Sequence, residues 1–212
     1  MNILIILAGS PPSKELLKTE IKTADIVIAV DGGFNVFRKY KLLPDLVLGD
    51  MDSVELVSPY DVEVIPLPDQ DLTDLQKTLQ YVFESHSVKS LIFLGAGGAR
   101  TDHLLNNLHL CASIDKSVRI IFKNEISDST DFSLEIIERI TPQSDFDLPV
   151  KTGSTLSILP FADFSGLNSE GLQWEIKGSN HSDTFICQSN VSIKDDPTFM
   201  IRSGYAYIAV YQ

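Results

Sequence analysis

The sequence is poor in cysteine. Its 212 residues include 2 cysteines, Cys111 and Cys187, which lie far apart and show neither CxxC spacing nor an accompanying histidine pattern. This scarcity argues against a disulfide scaffold and against a cysteine-based zinc site. It indicates two reduced thiols in a cytoplasmic protein.

Basic residues are also scarce. The chain carries 17 Lys and Arg against 29 Asp and Glu, which gives a formal net charge of −12. Binding to nucleic acid or to an anionic membrane requires a basic face, so this balance argues against both partners. An acidic protein that handles phosphates must supply positive charge locally, through metal ions and a few placed Lys or Arg side chains.

Long apolar runs are missing, and no segment is long enough to be predicted to cross a membrane. The run Ile3–Ala8 ends at Gly9 and follows no basic segment, so it predicts a buried first strand and not a signal peptide. The chain is 43% hydrophobic and 22% charged, which is typical of soluble globular proteins. Its length allows one large domain or two small ones.

The first 125 residues alternate short apolar runs with amphipathic runs, a pattern that predicts a doubly wound, mostly parallel sheet. The predicted strands are Ile3–Ala8, Asp25–Val30, Leu46–Leu48, Val62–Ile65, Leu91–Leu94 and Val118–Phe122. The predicted helices are Lys14–Lys22, Asn35–Tyr40, one that begins after Thr73, and Thr101–Ala112. The helix after Thr73 has the strongest signal, since Thr73 and Gln76 have the spacing of a capping box. Its predicted buried face comprises Leu75, Leu79, Val82 and Phe83.

From about residue 126 the helical periodicity fades and short β-type runs follow one another. They are Phe132–Ile137, Thr155–Pro160, Leu172–Lys177, Thr184–Ile186, Thr198–Ile201 and Ala206–Tyr211. We therefore predict an α/β domain at residues 1–125 and a smaller antiparallel β-sandwich domain at residues 126–212.

Five aspartates lie in two sets between residues 44 and 77. Asp50 and Asp52 follow the run Leu46–Leu48, and Asp69, Asp71 and Asp74 follow Val62–Leu67. An open α/β sheet binds its ligands at the carboxyl ends of its strands. Two carboxylates about 4 Å apart repel each other by roughly 4 kcal/mol at an effective dielectric of 20, so such sets suggest a bound cation. Oxygen-only ligands favour Mg²⁺ or Mn²⁺ over zinc. The alternative to a metal site is that both sets of aspartates lie in ordinary solvated turns.

Two further segments could contact phosphates. The segment Asp31-Gly32-Gly33 follows the second predicted strand, and its glycines would let a ligand approach the backbone, although the segment also fits a simple turn. The helix start at Thr73 and Asp74 could hold a phosphate with Lys77 one turn along. The alternative there is an ordinary capping box with an ion pair.

A glycine-rich loop, Gly95–Gly98, leads through Arg100 and Asp102 into the next predicted helix. It matches neither the Walker A loop nor GxGxxG. Its flexibility and its two charged residues nevertheless suit a polyphosphate with a metal. His103, which follows, is expected to be a surface or packing residue.

The predicted β-domain contains the single tryptophan, Trp174, and the pair Ser189-Asn190. A lone tryptophan in a sandwich is usually a core residue. A flat aromatic side chain is also a surface on which a cationic heterocycle stacks.

Together these segments resemble the thiamin pyrophosphokinase family, whose members transfer a diphosphate group from ATP to the hydroxyethyl group of thiamin. The resemblance runs through DGG at 31–33, PDLVLGDMDS at 44–53, PDQDLTDLQK at 68–77, GAGGARTDH at 95–103, GLQWEIKG at 171–178 and SN at 189–190. It covers most of the chain, and the region 44–77 is its most specific part. It implies an α/β catalytic domain, a C-terminal β-sandwich and a homodimer with the active site between subunits.

The resemblance also implies site residues. Magnesium would be held by Asp50, Asp52 and Asp74. The nucleotide and its phosphates would be bound by Asp31, Gln70, Thr73, Lys77, Arg100 and Asp102, and thiamin would be bound by Trp174, Ser189 and Asn190. The chemistry of the transfer also requires an acceptor for the proton of the thiamin hydroxyl, and Asp71 and Asp102 are the two candidates. One departure from the family is the segment HSDTFICQSN at 181–190, which lacks the usual glycine-containing run before Ser-Asn.

Three other functions share part of this pattern. A diphosphokinase for another small alcohol, such as a hydroxymethylpterin, would have the same ATP and metal residues and a different pocket around Trp174 and Asn190. A non-catalytic metabolite-binding protein on the same fold would have lost its metal aspartates, which are present here. A DxD glycosyltransferase would share the Asp50 and Asp52 spacing and would usually have a longer chain.

Overall fold

The computed structural model describes residues 1–49, 62–69, 71–98, 100–126, 133–143, 146, 148–181 and 187–212. The predicted site residues Asp50, Asp52 and Gln70 lie outside the described residues, as does the predicted strand Thr184–Ile186. The chain forms two compact units, Met1–Leu110 with Phe122–Glu125, and Cys111–Ile121 with Ile126–Gln212.

The first unit is built on a parallel sheet. Its elements are β1 (Asn2–Ile6), α1 (Lys14–Ile21), β2 (Ile26–Val30), a 3₁₀ turn (Asp31–Gly33), α2 (Phe34–Tyr40), β3 (Leu46–Gly49), β4 (Glu63–Pro66), α3 (Asp74–Ser85), β5 (Ser90–Leu94), α4 (Thr101–Ala112) and β6 (Arg119–Glu125), the last two having residues in both units. β1 pairs in parallel with both β2 and β5, and β3 pairs in parallel with β2 and β4. The strand order β5-β1-β2-β3-β4 therefore changes direction between β1 and β5, at a topological switch point.

The middle of this sheet is the core of the first unit. The β1 residues Ile3–Ile6 are 0% exposed, as expected for a continuous apolar run in a strand that is covered on both faces. Leu17 of α1 and Phe34 and Phe37 of α2 pack with Leu4 in one buried cluster. α3 packs against β2 and β3. These contacts fix the carboxyl edge of the sheet, where the loops described below begin.

The predicted capping box at the start of α3 is confirmed. Thr73 Oγ1 accepts a hydrogen bond from the Gln76 backbone N–H at 3.3 Å, and the Gln76 side chain accepts one from the Thr73 N–H at 2.9 Å. The predicted buried face is correct for Leu75, Leu79 and Val82 and wrong for Phe83, which is 40% exposed. Phe83 follows Val82 by one residue, and the 100° turn of a helix per residue carries it past the buried stripe.

The second unit contains antiparallel strands. They are β7 (Leu134–Ile140), β8 (Thr155–Leu159), β9 (Phe164–Ser165), β10 (Asn168–Glu170), β11 (Asn190–Val191), β12 (Thr198–Met200), β13 (Ser203–Gly204) and β14 (Ala206–Tyr211). β14 pairs with β7 and β8, β8 pairs with β11, and β9–β13 and β10–β12 are separate pairs. The predicted fold class, a mostly parallel α/β sheet followed by antiparallel strands, is confirmed.

One predicted strand of the second unit, Leu172–Lys177, is wrong. The stretch is an irregular turn, and Leu172 makes only an isolated bridge to Ser192. The cause is local, because the Glu175 carboxylate accepts hydrogen bonds from the N–H groups of Gly171 and Leu172. A side chain that binds nearby backbone in this way competes with a strand ladder.

The second unit also buries a cation. Arg139 is 1% exposed, and its guanidinium donates to the carbonyls of Cys111, Ile114, Asp115 and Val118 at 2.7–2.9 Å. These carbonyls belong to the last turn of α4 and to the segment between α4 and β6, and backbone oxygens at the end of a helix lack intrahelical partners. Arg139 therefore satisfies them from β7. Among the described residues no helix is long and apolar enough to span a membrane.

Candidate functional site

A cleft of about 620 Å³ opens at the carboxyl edge of the parallel sheet in the first unit. Its walls come from the loops after β1 and β5, the end of β2, and the first residues of α3 and α4. It therefore lies at the switch point, where open α/β sheets bind their ligands. Its volume is that of a small-molecule site.

Two loops that line the cleft contact each other directly through their backbones. The Gly9 N–H donates to the Gly95 carbonyl at 2.8 Å, and the Ser10 N–H donates to the Gly97 carbonyl at 2.9 Å. Gly95 has a φ of +68°, and a Cβ there would lie 2.5 Å from the Leu7 carbonyl oxygen, so glycine is required. The glycine-rich loop thus packs against the loop after β1.

Asp31 lies in the cleft at the end of β2, with a φ of +42°. Its Oδ1 is buried and has no hydrogen-bond partner within the described ranges. Gly49, at the end of β3, approaches it closely, since a Cβ on Gly49 would lie 3.1 Å from the Asp31 Cβ. A buried carboxylate oxygen without a partner is rare in folded proteins and indicates a position for a ligand, an ion or water.

Thr73 and Asp74 bring the start of α3 into the cleft. The Asp74 Oδ1 lies 2.8 Å from the Lys77 Nζ. Lys77 is 5% exposed, and its Nζ also donates to the Leu67 carbonyl at 3.1 Å. Lys77 therefore reaches the site through Asp74 and does not line the cleft itself. Asp71 is exposed outside the cleft, and its N–H donates to the Asp69 carboxylate at 2.8 Å.

Arg100 and Asp102, which both line the cleft, form a bidentate ion pair. The Arg100 Nε and Nη2 donate to the two Asp102 carboxylate oxygens at 3.1 and 2.5 Å. The hydrogen bond and the charge of Asp102 raise the pKa of Arg100. The hydrogen bond from Arg100 is the main cause that lowers the pKa of Asp102. Their side chains are 67% and 63% exposed, so the pair can exchange partners with a ligand at little desolvation cost.

Sequence reasoning missed several cleft residues, among them Gly9, Asn106 and Asn107. His103, predicted as a surface or packing residue, also lines the cleft. Asn107 is buried and donates to the Ala96 carbonyl at 3.3 Å, which holds the glycine-rich loop. The available signal was the position of Gly9 directly after the first strand of a parallel sheet.

The second unit presents Trp174 at the surface, where the residue is 57% exposed, so Trp174 is not a core residue. Asn190 is 1% exposed, and its side-chain amide accepts from the Trp174 N–H at 3.2 Å and donates to the Trp174 carbonyl at 2.7 Å. Ser189 is exposed, with a φ of +55°. The predicted thiamin residues are therefore close together in this unit, and Asn190 contacts Trp174 directly.

Carboxylates of the described residues could supply part of a cation site. Asp31 and Asp74 both line the cleft, and the oxygen of Asp31 without a partner is the kind of donor that a hard cation binds. In the part of the chain that the structure describes, no three His, Cys, Asp or Glu side chains lie close enough together to form a metal site. The predicted ligands Asp50 and Asp52 are outside that part.

The fold and the cleft define an α/β protein with a ligand site at the switch point of its parallel sheet, followed by an antiparallel β unit. Residues 17–122, half of the chain, match the thiamin pyrophosphokinase catalytic domain, and residues 139–206 match the thiamin pyrophosphokinase vitamin B1 binding domain. The chain belongs to the thiamin pyrophosphokinase family, which confirms the resemblance seen in the sequence.

Individual relatives agree with this assignment. The chain is 29% identical to Thiamin pyrophosphokinase 1 of Caenorhabditis elegans over 71% of its own length and 64% of the relative, and thus spans less than two thirds of that protein. It is 30% identical to Thiamine pyrophosphokinase 3 of Oryza sativa subsp. japonica over 41% of its own length and 42% of the relative. The crystal structure of thiamine pyrophosphokinase from Bacillus subtilis has the same fold, with a TM-score of 0.76, 21% identity, and coverage of 100% of this chain and 99% of that one.

Proposed function

We propose that the protein transfers the diphosphate group of ATP to the hydroxyethyl group of thiamin, giving thiamin diphosphate and AMP. The observation that carries this proposal is the cleft at the switch point of the sheet, in a chain that matches both domains of the thiamin pyrophosphokinase family. We assign ATP to an α/β catalytic domain at residues 1–125 and thiamin to a β domain at residues 126–212.

The cleft supplies the groups that a triphosphate requires. The first backbone N–H groups of α3 point toward its N-terminus, where anions bind favourably. The glycine-rich loop lets phosphates approach the backbone. Arg100 would exchange its contact with Asp102 for phosphate oxygens, because guanidinium binds carboxylate and phosphate with the same planar geometry. Thr73 completes the wall beside the helix start.

We propose that Mg²⁺ is held by Asp74 and the sequence-predicted Asp50 and Asp52, and that Gln70 contacts the nucleotide or its phosphates. The Asp31 oxygen that lacks a partner supports a cation or its water at the same edge. When bound, Mg²⁺ neutralises charge on the phosphates and on the leaving AMP.

The chemical step is an in-line displacement. The thiamin hydroxyl oxygen forms a bond to the β-phosphorus, the bond from that phosphorus to the oxygen bridging to the α-phosphorus breaks, and AMP leaves with the electron pair. The hydroxyl proton passes to a carboxylate. Of the two candidates, Asp102 lines the cleft and Asp71 does not, which favours Asp102. Departure of Arg100 to the phosphates would free Asp102 to accept the proton.

Thiamin carries a cationic thiazolium ring, and an exposed indole is a suitable stacking surface for it. We therefore propose that Trp174 and Ser189 contact thiamin, and that Asn190 acts through the backbone of Trp174. We further propose a cytoplasmic homodimer with the active site between subunits, as the family resemblance implies. Mixing an Asp74→Asn variant with a Trp174→Ala variant tests the dimer, because shared sites would regain activity in mixed dimers and independent sites would not.

The decisive experiment measures AMP release from ATP and Mg²⁺ with and without thiamin, followed by mass analysis of the product. Thiamin-dependent AMP with thiamin diphosphate as the product is the expected result. AMP that appears only with a different alcohol, such as a hydroxymethylpterin, would retain the ATP site and reject thiamin. Tight ATP binding without AMP from any acceptor would instead indicate a metabolite-binding protein.

A further inference from the structure

Trp174 lies at the surface, and both of its backbone polar groups are engaged in hydrogen bonds. Asn190 bonds both the N–H and the carbonyl of Trp174, and the neighbouring Gln173 N–H donates to the Val191 carbonyl at 2.8 Å. A tryptophan residue that is 57% exposed gains little from burial. The fold therefore fixes the backbone of the one tryptophan while leaving its ring free to meet a ligand.

Glu175 binds residues of the same turn. Its carboxylate accepts hydrogen bonds from the Ser169 hydroxyl at 2.6 Å, the Gly171 N–H at 2.6 Å and the Leu172 N–H at 3.1 Å. The Ser169 oxygen in turn accepts from the Ile176 N–H at 2.8 Å. The hydrogen-bond partners of Glu175 and Ser169 in this network lie between residues 169 and 176, so the network includes the residues that flank Trp174.

The ionised form of Glu175 is the form that accepts these hydrogen bonds. Burial raises the pKa of its carboxyl group, but the hydrogen bonds from Ser169, Gly171 and Leu172, with the charge of Lys194, outweigh burial and hold the pKa below its usual value. Glu175 is therefore ionised at neutral pH and accepts all three hydrogen bonds. Hydrogen bonds to a charged group are the stronger ones.

We propose that Glu175 is a positioning residue that holds the Trp174 ring as a preformed stacking surface for a flat cationic heterocycle, with Ser169 and Asn190 as its supports. The ligand is thiamin if the proposed function holds, and this inference rests on that function. Glu175 touches no ligand in this scheme. It restricts the conformations of the turn before binding, so less conformational entropy is lost when a ring stacks on Trp174.

The expected kinetic effect is confined to thiamin. Glu175→Ala removes all three hydrogen bonds and should raise the KM for thiamin about tenfold, the size of one lost aromatic contact. The kcat and the KM for ATP should stay within about twofold, since the ATP cleft is built from other residues. Glu175→Gln keeps an acceptor oxygen and should recover part of the loss. Asp195→Asn is the matched control, because Asp195 accepts similar hydrogen bonds from the N–H and hydroxyl of Thr152.

A double-mutant cycle shows whether Glu175 acts through Trp174. If it does, Glu175→Ala should have little further effect on the thiamin KM in a Trp174→Ala background. Equal effects of Glu175→Ala in both backgrounds would overturn the proposal. A fall in kcat and in melting temperature with an unchanged thiamin KM would also overturn it, because Glu175 would then only stabilise the fold.

Fluorescence tests in the absence of thiamin whether Glu175 restricts the motion of the Trp174 ring, since Trp174 is the only tryptophan in the chain. Glu175→Ala should lower the emission anisotropy of the ring, whereas Asp195→Asn should leave it unchanged. Unchanged anisotropy in Glu175→Ala would show that Glu175 does not position Trp174. If the wild-type protein forms no AMP with thiamin, the proposed function fails and thiamin is rejected as the ligand. The anisotropy comparison would then still decide whether Glu175 holds Trp174.

Discussion

The Nζ of Lys77 lies 2.8 Å from the Asp74 carboxylate and 3.1 Å from the Leu67 carbonyl oxygen. One nearly buried side chain thus joins the first residue of α3 to the segment after β4. The sequence suggested that Lys77 would reach a phosphate one turn into the helix. The observed contacts instead support an indirect role, in which Lys77 orients Asp74 within the cleft.

Replacement of Lys77 by Met should therefore affect both folding and activity. It removes two hydrogen bonds from a site that is 5% exposed, so we expect the free energy of unfolding to fall by about 1–3 kcal/mol. A displaced Asp74 should lower kcat/KM by roughly ten- to a hundredfold, because small errors in position are costly in catalysis. Urea denaturation and AMP release measure the two effects. Lys89→Met, at an exposed lysine, is the control, and equal behaviour of the two variants would contradict the indirect role.

Asp74→Asn should abolish diphosphate transfer while preserving the fold. The substitution keeps the size of the side chain and removes the negative charge that a magnesium ligand requires. We expect activity to fall at least about a hundredfold, a loss typical of one essential electrostatic group. Circular dichroism should show an unchanged fold. Glu84→Gln removes an exposed charge near the other end of α3 and should keep full activity. Activity of Asp74→Asn near that of the wild type would reject Asp74 as a metal ligand.

Arg100→Ala should weaken ATP binding and leave thiamin binding unchanged. A hydrogen bond to a charged group contributes about 1.5–3 kcal/mol, and the exposure of Arg100 places the expected rise in the KM for ATP near the lower end, at about tenfold. The wild-type KM for ATP should also rise with ionic strength, and the variant should respond less. Arg38→Ala, outside the cleft, controls for loss of charge. An equal rise in the thiamin KM would show that Arg100 does not act on the nucleotide alone.

Much of the first unit could be predicted because its signals are local. The buried run that became β1 and the Thr73 capping box each follow from a few neighbouring residues. The position of the cleft followed from a general rule about the carboxyl ends of parallel strands. What the sequence could not give was the order β5-β1-β2, which brings Gly9 against Gly95 across a long stretch of chain.

The second unit was harder to predict because hydrogen bonds from side chains to the backbone override its local pattern. Leu172–Lys177 has the composition of a strand, but the Glu175 carboxylate occupies the N–H groups of Gly171 and Leu172 and bends the chain into a turn. Asn190 was predicted to contact thiamin, and its amide is engaged with the Trp174 backbone. Neither contact has a spacing that a sequence pattern reveals.

Cys111 gives a prediction on alkaline stability. Burial raises the pKa of its thiol from 9.0 to about 12 in the folded protein. Between these values the unfolded chain releases a proton that the folded protein retains. Stability from this group is therefore complete below about pH 9 and is lost as pH rises toward 12. Each unit of pH in that window should remove up to about 1.4 kcal/mol of unfolding free energy.

Urea denaturation between pH 8 and pH 10 measures this slope, before the tyrosines of the unfolded chain ionise near pH 10. Cys111→Ala should lower stability at every pH by removing buried atoms, and it should also flatten the dependence on pH above 9. Cys187→Ala is the matched control, because burial raises the pKa of Cys187 as well but less strongly. Its slope should stay closer to that of the wild type. An unchanged slope in Cys111→Ala would show that the thiol ionises in the folded protein, and the alkaline loss would then have to come from other groups.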